Sequence, residues 1–175
     1  MYANLERLGV ESLDLVNLRM TDSREAAAIT GPFSVLASLQ QEGLIRHLGV
    51  SNVSAEQLAA AQSIAPVVAV QNFYNLAVRA DDDLVDQCAE QGIAFVPFFP
   101  LGGFRPLQSG VLDEVATALG ISRMQAALVW LLQRSPTILL IPGTSSLSHL
   151  EDNLGAGDLV LDEAALADLA SLGGP

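Results

Sequence analysis

The sequence predicts a layered α/β fold built on a parallel sheet, and three observations carry that expectation. Short apolar runs recur along the chain, centred near residues 15, 48, 69, 95 and 139. Helical sequence separates each run from the next, and every run but the first ends in a polar or Gly/Pro cluster. Continuously apolar runs suit strands buried on both faces. Alternation of strand and helix with one hand of crossover makes such strands parallel.

Residues 1–9 (MYANLERLG) read as the end of a helix closed by Gly9. A chain seldom opens halfway through an element, so further sequence upstream is expected. Ser12–Leu18 is a strand candidate, with Leu15, Asn17 and Arg19 on one face by the two-residue period. Residues 20–32 read as a polar loop ending in Gly31-Pro32, and Phe33–Glu42 as an amphipathic helix capped by Gly43. Arg46–Asn52 (RHLGVSN) is the central strand: Leu48–Val50 crosses a core, and Ser51-Asn52 stand where it stops. Ser54 starts a helix with Glu56-Gln57 in its first turn, and Pro66 ends it. Val67–Gln71 is the next strand, Asp81–Gln91 a helix stopped by Gly92, and Ile93–Val96 a strand entering Pro97–Gly103. Helices are expected over Val111–Leu119 and Ser122–Gln133, the second capped by Ser122 with Leu128, Leu131 and Leu132 on its inner face. Thr137–Ile141 is the last expected strand, and helices over 147–154 and 162–172 close the chain.

Composition narrows the classes. At 175 residues the chain is most simply one domain with a sizeable core. A net charge of −12 argues against nucleic acids and anionic membranes as partners. All 8 basic residues are Arg, and there is no Lys. The single cysteine, Cys88, rules out an internal disulfide and sits in an amphipathic run that suits a packed core thiol. No secretory signal and no apolar run of about 18 residues is present, so a cytoplasmic protein is expected.

In parallel α/β folds, ligands collect at the carboxyl ends of strands. Four successive polar strand ends favour such a mouth: Ser51-Asn52, Gln71-Asn72, Phe98–Gly103 and Gly143–Ser146. The last leads into a helix whose first turns hold His149, Asp152 and Asn153. A helix start offers free N–H groups and a favourable dipole to phosphate. A plain capped helix with solvated polar residues explains the same pattern.

The stretches LERLGVESLDLVNLR, LIRHLGVSNVS, VVAVQNFYN, IAFVPFFPLGG, LVWLLQR and IPGTSSLSHLEDNL make the sequence resemble the aldo-keto reductase family, specifically bacterial members with an IPGTS segment. The resemblance covers nearly the whole chain. It implies a (β/α) TIM-barrel fold, of which residues 1–175 would be a single partial domain holding the last five βα units of an eight-stranded barrel. It also implies NADP(H) bound at the barrel mouth and reduction of a carbonyl substrate.

Carried over position by position, the resemblance assigns Ser51, Asn52 and Gln71 to the nicotinamide carboxamide and Phe98 to the aromatic that stacks on the nicotinamide ring. Leu101 and Gly102 match the loop near the pyrophosphate. Gly143, Thr144 and Ser145 match the segment cradling the adenosine phosphate, and His149 the usual Arg at the 2′-phosphate. A His is the weaker clamp because its charge depends on pH. Asp152 and Asn153 fall beside the adenine.

Catalysis is where the sequence departs from the family. The resemblance puts the family's catalytic Tyr, Asp and Lys on three βα units that this chain does not span, and its catalytic His at Arg19, with Asn17 on the same face. An Arg can polarise a carbonyl oxygen, but it stays charged and gives up no proton. The chain alone is therefore expected to lack reductase activity. Two other readings stay open from the residues: a half-barrel that self-associates through open strand edges and binds nucleotide or does redox-neutral chemistry at Arg19 and Asn17, and a non-enzymatic interaction module.

Overall fold

Helix α1 (Tyr2–Leu8) ends at Gly9, whose left-handed φ of 66° closes it as the sequence predicts. The computed structural model to which it belongs describes residues 1–21, 25–103, 107 and 109–172. The chain divides into two compact units, Met1–Asn72 with Gln91–Ala94, and Phe73–Glu90 with Phe95–Pro175.

In the first unit, β1 (Leu13–Arg19), β2 (Ile45–Ser51) and β3 (Val67–Gln71) are parallel neighbours, and the short β4 (Ala94–Phe95) follows β3 in the sheet order. Helices α2 (Ala26–Gln41) and α3 (Ala55–Gln62) cover the face that carries Leu48 and Val50. Ile29, Phe33, Leu48, Val50, Val53, Leu58, Ala61 and Val70 are all fully buried there. α3 begins with a capping box, the Ser54 hydroxyl accepting from Gln57 N–H while Gln57 Oε1 accepts from Ser54 N–H.

The loop expected over 20–32 is corrected: α2 starts at Ala26 and runs through Gly31-Pro32. Pro32 removes one helical N–H, yet the turn survives because Ile29, Phe33 and Ala37 recur at helical spacing across it and are buried. Hydroxyls bond back to carbonyls on both sides, Thr30 to Ala27 at 2.9 Å and Ser34 to Thr30 at 2.8 Å.

The second unit holds α4 (Asp82–Gln91, all but its last residue), α5 (Gly110–Leu119), α6 (Arg123–Arg134), α7 (Leu147–Gly155) and α8 (Glu163–Ala170). Ser122 and Gln125 give α6 a second capping box, and Ala126–Leu131 is buried on every side. The strand expected over Thr137–Ile141 is corrected to one parallel bridge, Phe95 to Ile138. Phe95 N–H donates to Thr137 O and Leu139 N–H to Phe95 O, both at 2.9 Å. Pro97 and Pro142 bracket this pairing and have no N–H to extend a ladder. Leu139 and Ile141 face outward, so this run is not buried on both faces.

An ionic and aromatic cluster ties the second unit together. Arg79 donates to both Asp82 carboxylate oxygens, at 2.7 and 3.3 Å, and to Ala170 O at 2.9 Å, while its guanidinium lies 5.1 Å from the Trp130 ring centroid. Tyr74 is fully buried, stacks on Trp130 and donates its hydroxyl proton to Asp82 at 2.5 Å. Burial, with Asp82 bonded to it, pushes the Tyr74 phenol well above its ordinary value. Burial works against the Asp82 charge, but the bonds from Arg79 and Tyr74 and the nearby guanidinium charges outweigh it and hold the carboxyl below its usual range.

Two outcomes follow from this cluster and from the core thiol. Asp82→Asn is expected to cost about 1–3 kcal/mol at neutral pH, because it strands Arg79 and Tyr74, and the urea midpoint reads the loss. Because Asp82 titrates lower in the folded state than unfolded, the wild-type advantage is present above the unfolded value of about 3.9 and is lost as pH falls through the lower folded value. Cys88 is fully buried, and burial pushes its thiol up to about 12. A thiol reagent should label it only as fast as the second unit opens.

Candidate functional site

The register of the first unit stacks the strand-end residues in rows. Arg19 pairs with Ser51 and Ser51 with Gln71; one step earlier, Asn17 pairs with Gly49 and Gly49 with Ala69. All six side-chain positions share the sheet face opposite α2 and α3 by the two-residue period. The Asn17 amide crosses over β2 and donates Nδ2–H to Gln71 Oε1 at 3.0 Å. That reach depends on glycine at 49. A Cβ there would fall on Asn17 Oδ1 and lie 3.0 Å from the Ala69 carbonyl. Asn17 Oδ1 is itself enclosed and has no hydrogen-bond partner.

Ser51 is buried and Arg19 exposed at the ends of β2 and β1. Asn52 leaves β2 in the left-handed region, at φ 57°, a conformation that Asn tolerates better than most residues. Its Nδ2–H donates to Met20 O at 2.7 Å and its N–H to Gln71 O at 3.0 Å, which joins the ends of all three strands. Asn72 goes further. It is 1% exposed, its Oδ1 accepts from Val53 N–H at 3.1 Å, and its Nδ2–H donates to Val53 O at 2.8 Å. This amide substitutes for a strand neighbour where the ladder has ended.

In the second unit, Phe98 lies nearly parallel to Phe73, with ring centroids 5.7 Å apart and planes at 13°. Phe99 sets an edge against both rings. The following turn needs positive φ at Phe99 (55°), Gly102 (88°) and Gly103 (62°). At Gly103 a Cβ would meet the Phe99 ring at 2.6 Å, so glycine is required there twice over. Asn75, also 1% exposed, fastens the turn by donating to Phe99 O at 3.1 Å. Leu101 and Gly102 are half-buried beside it.

Gly143, Thr144, Ser145 and His149 are exposed around the start of α7. Ser146 caps that helix, its hydroxyl accepting from His149 N–H at 3.4 Å, while Thr144 Oγ1 accepts from Ser146 N–H at 3.1 Å. Asp152 and Asn153 are half-buried one turn on, and Asn153 Oδ1 is enclosed without a partner.

Within the first unit, then, Arg19, Ser51, Asn52, Gln71 and Asn17 share one set of strand ends; within the second, Phe98 adjoins Leu101-Gly102, and Gly143–Ser145 adjoin His149. Reasoning from sequence did not single out Gly49, Phe73 or Asn75, and it set Asn72 with Gln71 at the mouth, whereas the Asn72 amide is committed to Val53. The signals were present: a glycine inside an apolar strand, and amides directly after one. Among the described residues no group of three His, Cys, Asp or Glu side chains could hold a metal ion.

The parallel α/β architecture agrees with that of known proteins. The chain belongs to the aldo/keto reductase family, whose model matches residues 2–173. It is 54% identical over 173 residues to the pyridoxine 4-dehydrogenase of Escherichia coli (strain K12), covering 97% of this chain and 60% of that protein. It superposes on a thermostable aldo-keto reductase solved with the inhibitor epalrestat at TM-score 0.87, with 30% identity, over 98% of this chain and 64% of the other. An aldo/keto reductase from Klebsiella pneumoniae, solved with NADP and acetate, gives TM-score 0.82 and 30% identity over 98% and 62%. The fold is of the TIM-barrel type found in these enzymes, and the chain spans about 60% of the length of the relatives it matches.

Asn72→Ala is expected to cost about 3 kcal/mol, since it leaves the Val53 N–H and C=O buried and unpaired. Urea unfolding followed by circular dichroism reads the loss.

Proposed function

We propose that residues 1–175 are the nucleotide-holding part of a cytoplasmic aldo-keto reductase, one partial barrel domain that binds NADP(H) for reduction of a carbonyl substrate. The observation that carries this reading is the row of strand ends around Gln71, a half-buried amide at the end of β3 whose oxygen is held by Asn17. A nicotinamide carboxamide needs donors and acceptors fixed in place, and Ser51, Asn52 and Gln71 offer both.

When bound, the cofactor supplies a hydride to the carbonyl carbon. In this reading Ser51, Asn52 and Gln71 hold the carboxamide, and Phe98, supported on one face by Phe73, presents its ring to the nicotinamide. Leu101 and Gly102 lie near the pyrophosphate. Gly143, Thr144 and Ser145, with the start of α7, take the adenosine phosphate. His149 holds the 2′-phosphate, with Asp152 and Asn153 at the adenine. Arg19 polarises the substrate oxygen without giving it a proton. The Tyr74 phenol cannot supply that proton, because it is buried and committed to Asp82. The proton donor is a group these residues do not include.

Titrating the 175-residue protein with NADPH, followed by the nicotinamide emission, tests the reading. Saturable binding with Kd below about 1 mM is expected, with no NADPH oxidation when aldehydes or ketones are added. Absence of saturation would overturn the binding assignment, and steady turnover would overturn the missing proton donor.

A further inference from the structure

Asn17 occupies the face predicted for catalytic groups, yet its geometry fits a different task. Its Nδ2–H is spent on Gln71 and its Oδ1 is enclosed against Gly49, so neither end of the amide is open to a substrate. Gln71, by contrast, is half-buried at a strand terminus, and among the described residues its side chain bonds to Asn17 alone. A terminal amide held by one bond is fixed in rotamer and in O/N orientation by that bond. Without it, both orientations are open.

We propose that Asn17 is a positioning residue for Gln71, and that Gly49 is the gap through which it acts. This rests on the reading of Gln71 as a carboxamide contact for the nicotinamide. Three observations converge on it. The Asn17 amide spans from β1 to β3, skipping the strand between them, which a plain cross-strand pair does not do. The residue it passes over is the one in β2 whose missing side chain makes room. The arrangement also leaves a carbonyl oxygen buried and unpaired, an expense that packing alone does not justify and that a leucine would avoid. The pair therefore trades stability for the fixed direction of one side chain.

The experiment compares wild type, Asn17→Leu and Gly49→Ala. Binding of NADPH is set beside binding of 2′,5′-ADP, which has the 2′-phosphate and adenine but no nicotinamide, and urea midpoints are measured on the same samples. Asn17→Leu is expected to weaken NADPH about three- to tenfold, the range of one lost hydrogen bond, to leave 2′,5′-ADP unchanged and to keep or raise the urea midpoint. Gly49→Ala should weaken NADPH by a similar factor, because its Cβ displaces the Asn17 amide that is still present. If Asn17→Leu binds NADPH as tightly as wild type, the positioning role is overturned. It is equally overturned if both nucleotides weaken together with a lower midpoint, because Asn17 is then a packing residue. If wild type itself binds 2′,5′-ADP but not NADPH, the carboxamide reading of Gln71 falls, and the inference falls with it.

Discussion

The first unit depends on how its three parallel strands stop together. A parallel ladder that ends leaves N–H and C=O groups facing nothing, and in a buried place each must find a substitute. Here the substitutes are amides. Asn52 turns back to Met20 O and Asn72 takes both backbone groups of Val53, while Asn17 and Gln71, side chain to side chain, pair above the sheet. Because side chains rather than further strand end the ladder, the sheet closes in a rim of polar atoms. A rim of that kind can be both structural and a ligand surface, with the same residue type serving each purpose one position apart: Gln71 points along the open face, while Asn72 points into the core.

In the second unit the comparable constraint is charge. Asp82 receives Arg79 in a two-pronged contact and Tyr74 from below, and Arg134 reaches Asp86 at 2.6 Å and the Asp82 carbonyl at 3.2 Å. Arg79 also holds the last carbonyl of α8. Guanidinium groups suit this work because their planar forks satisfy several acceptors at once, and they rest on aromatic faces in a way an ammonium cannot reproduce. A chain whose basic residues are all arginine thus places two of them, Arg79 and Arg134, in its second core rather than in a mouth.

Much of this was legible from residue order. Both capping boxes follow the S-x-x-Q pattern, Gly9 and Gly92 close their helices at positive φ, and β3 has the limits its apolar run suggests. What the pattern hid had physical causes. Gly31-Pro32 is a strong local stop signal, but the burial of Ile29, Phe33 and Ala37 along one stripe outweighs it, and burial is a property of the partner surface rather than of the segment. Thr137–Ile141 has the composition of a strand, but prolines at the ends of both partners limit pairing to a single bridge. At the candidate site, Ser51, Asn52 and Gln71 stand out by residue type and position. Gly49 does not, because its importance comes from what lies above it, and that is settled only when β1 and β3 flank β2.

Trp130, the chain's only tryptophan, is 3% exposed and sits in the second unit against Tyr74 and Arg79. Tryptophan emission therefore originates entirely in that unit, from an indole shielded from water and next to a cation, whereas the first unit contributes only Tyr2. Backbone circular dichroism sees both. The two signals, recorded on one sample during unfolding, separate the melting of the strand-end unit from that of the aromatic one, so the chain carries its own spectroscopic label for asking whether its two halves unfold as one.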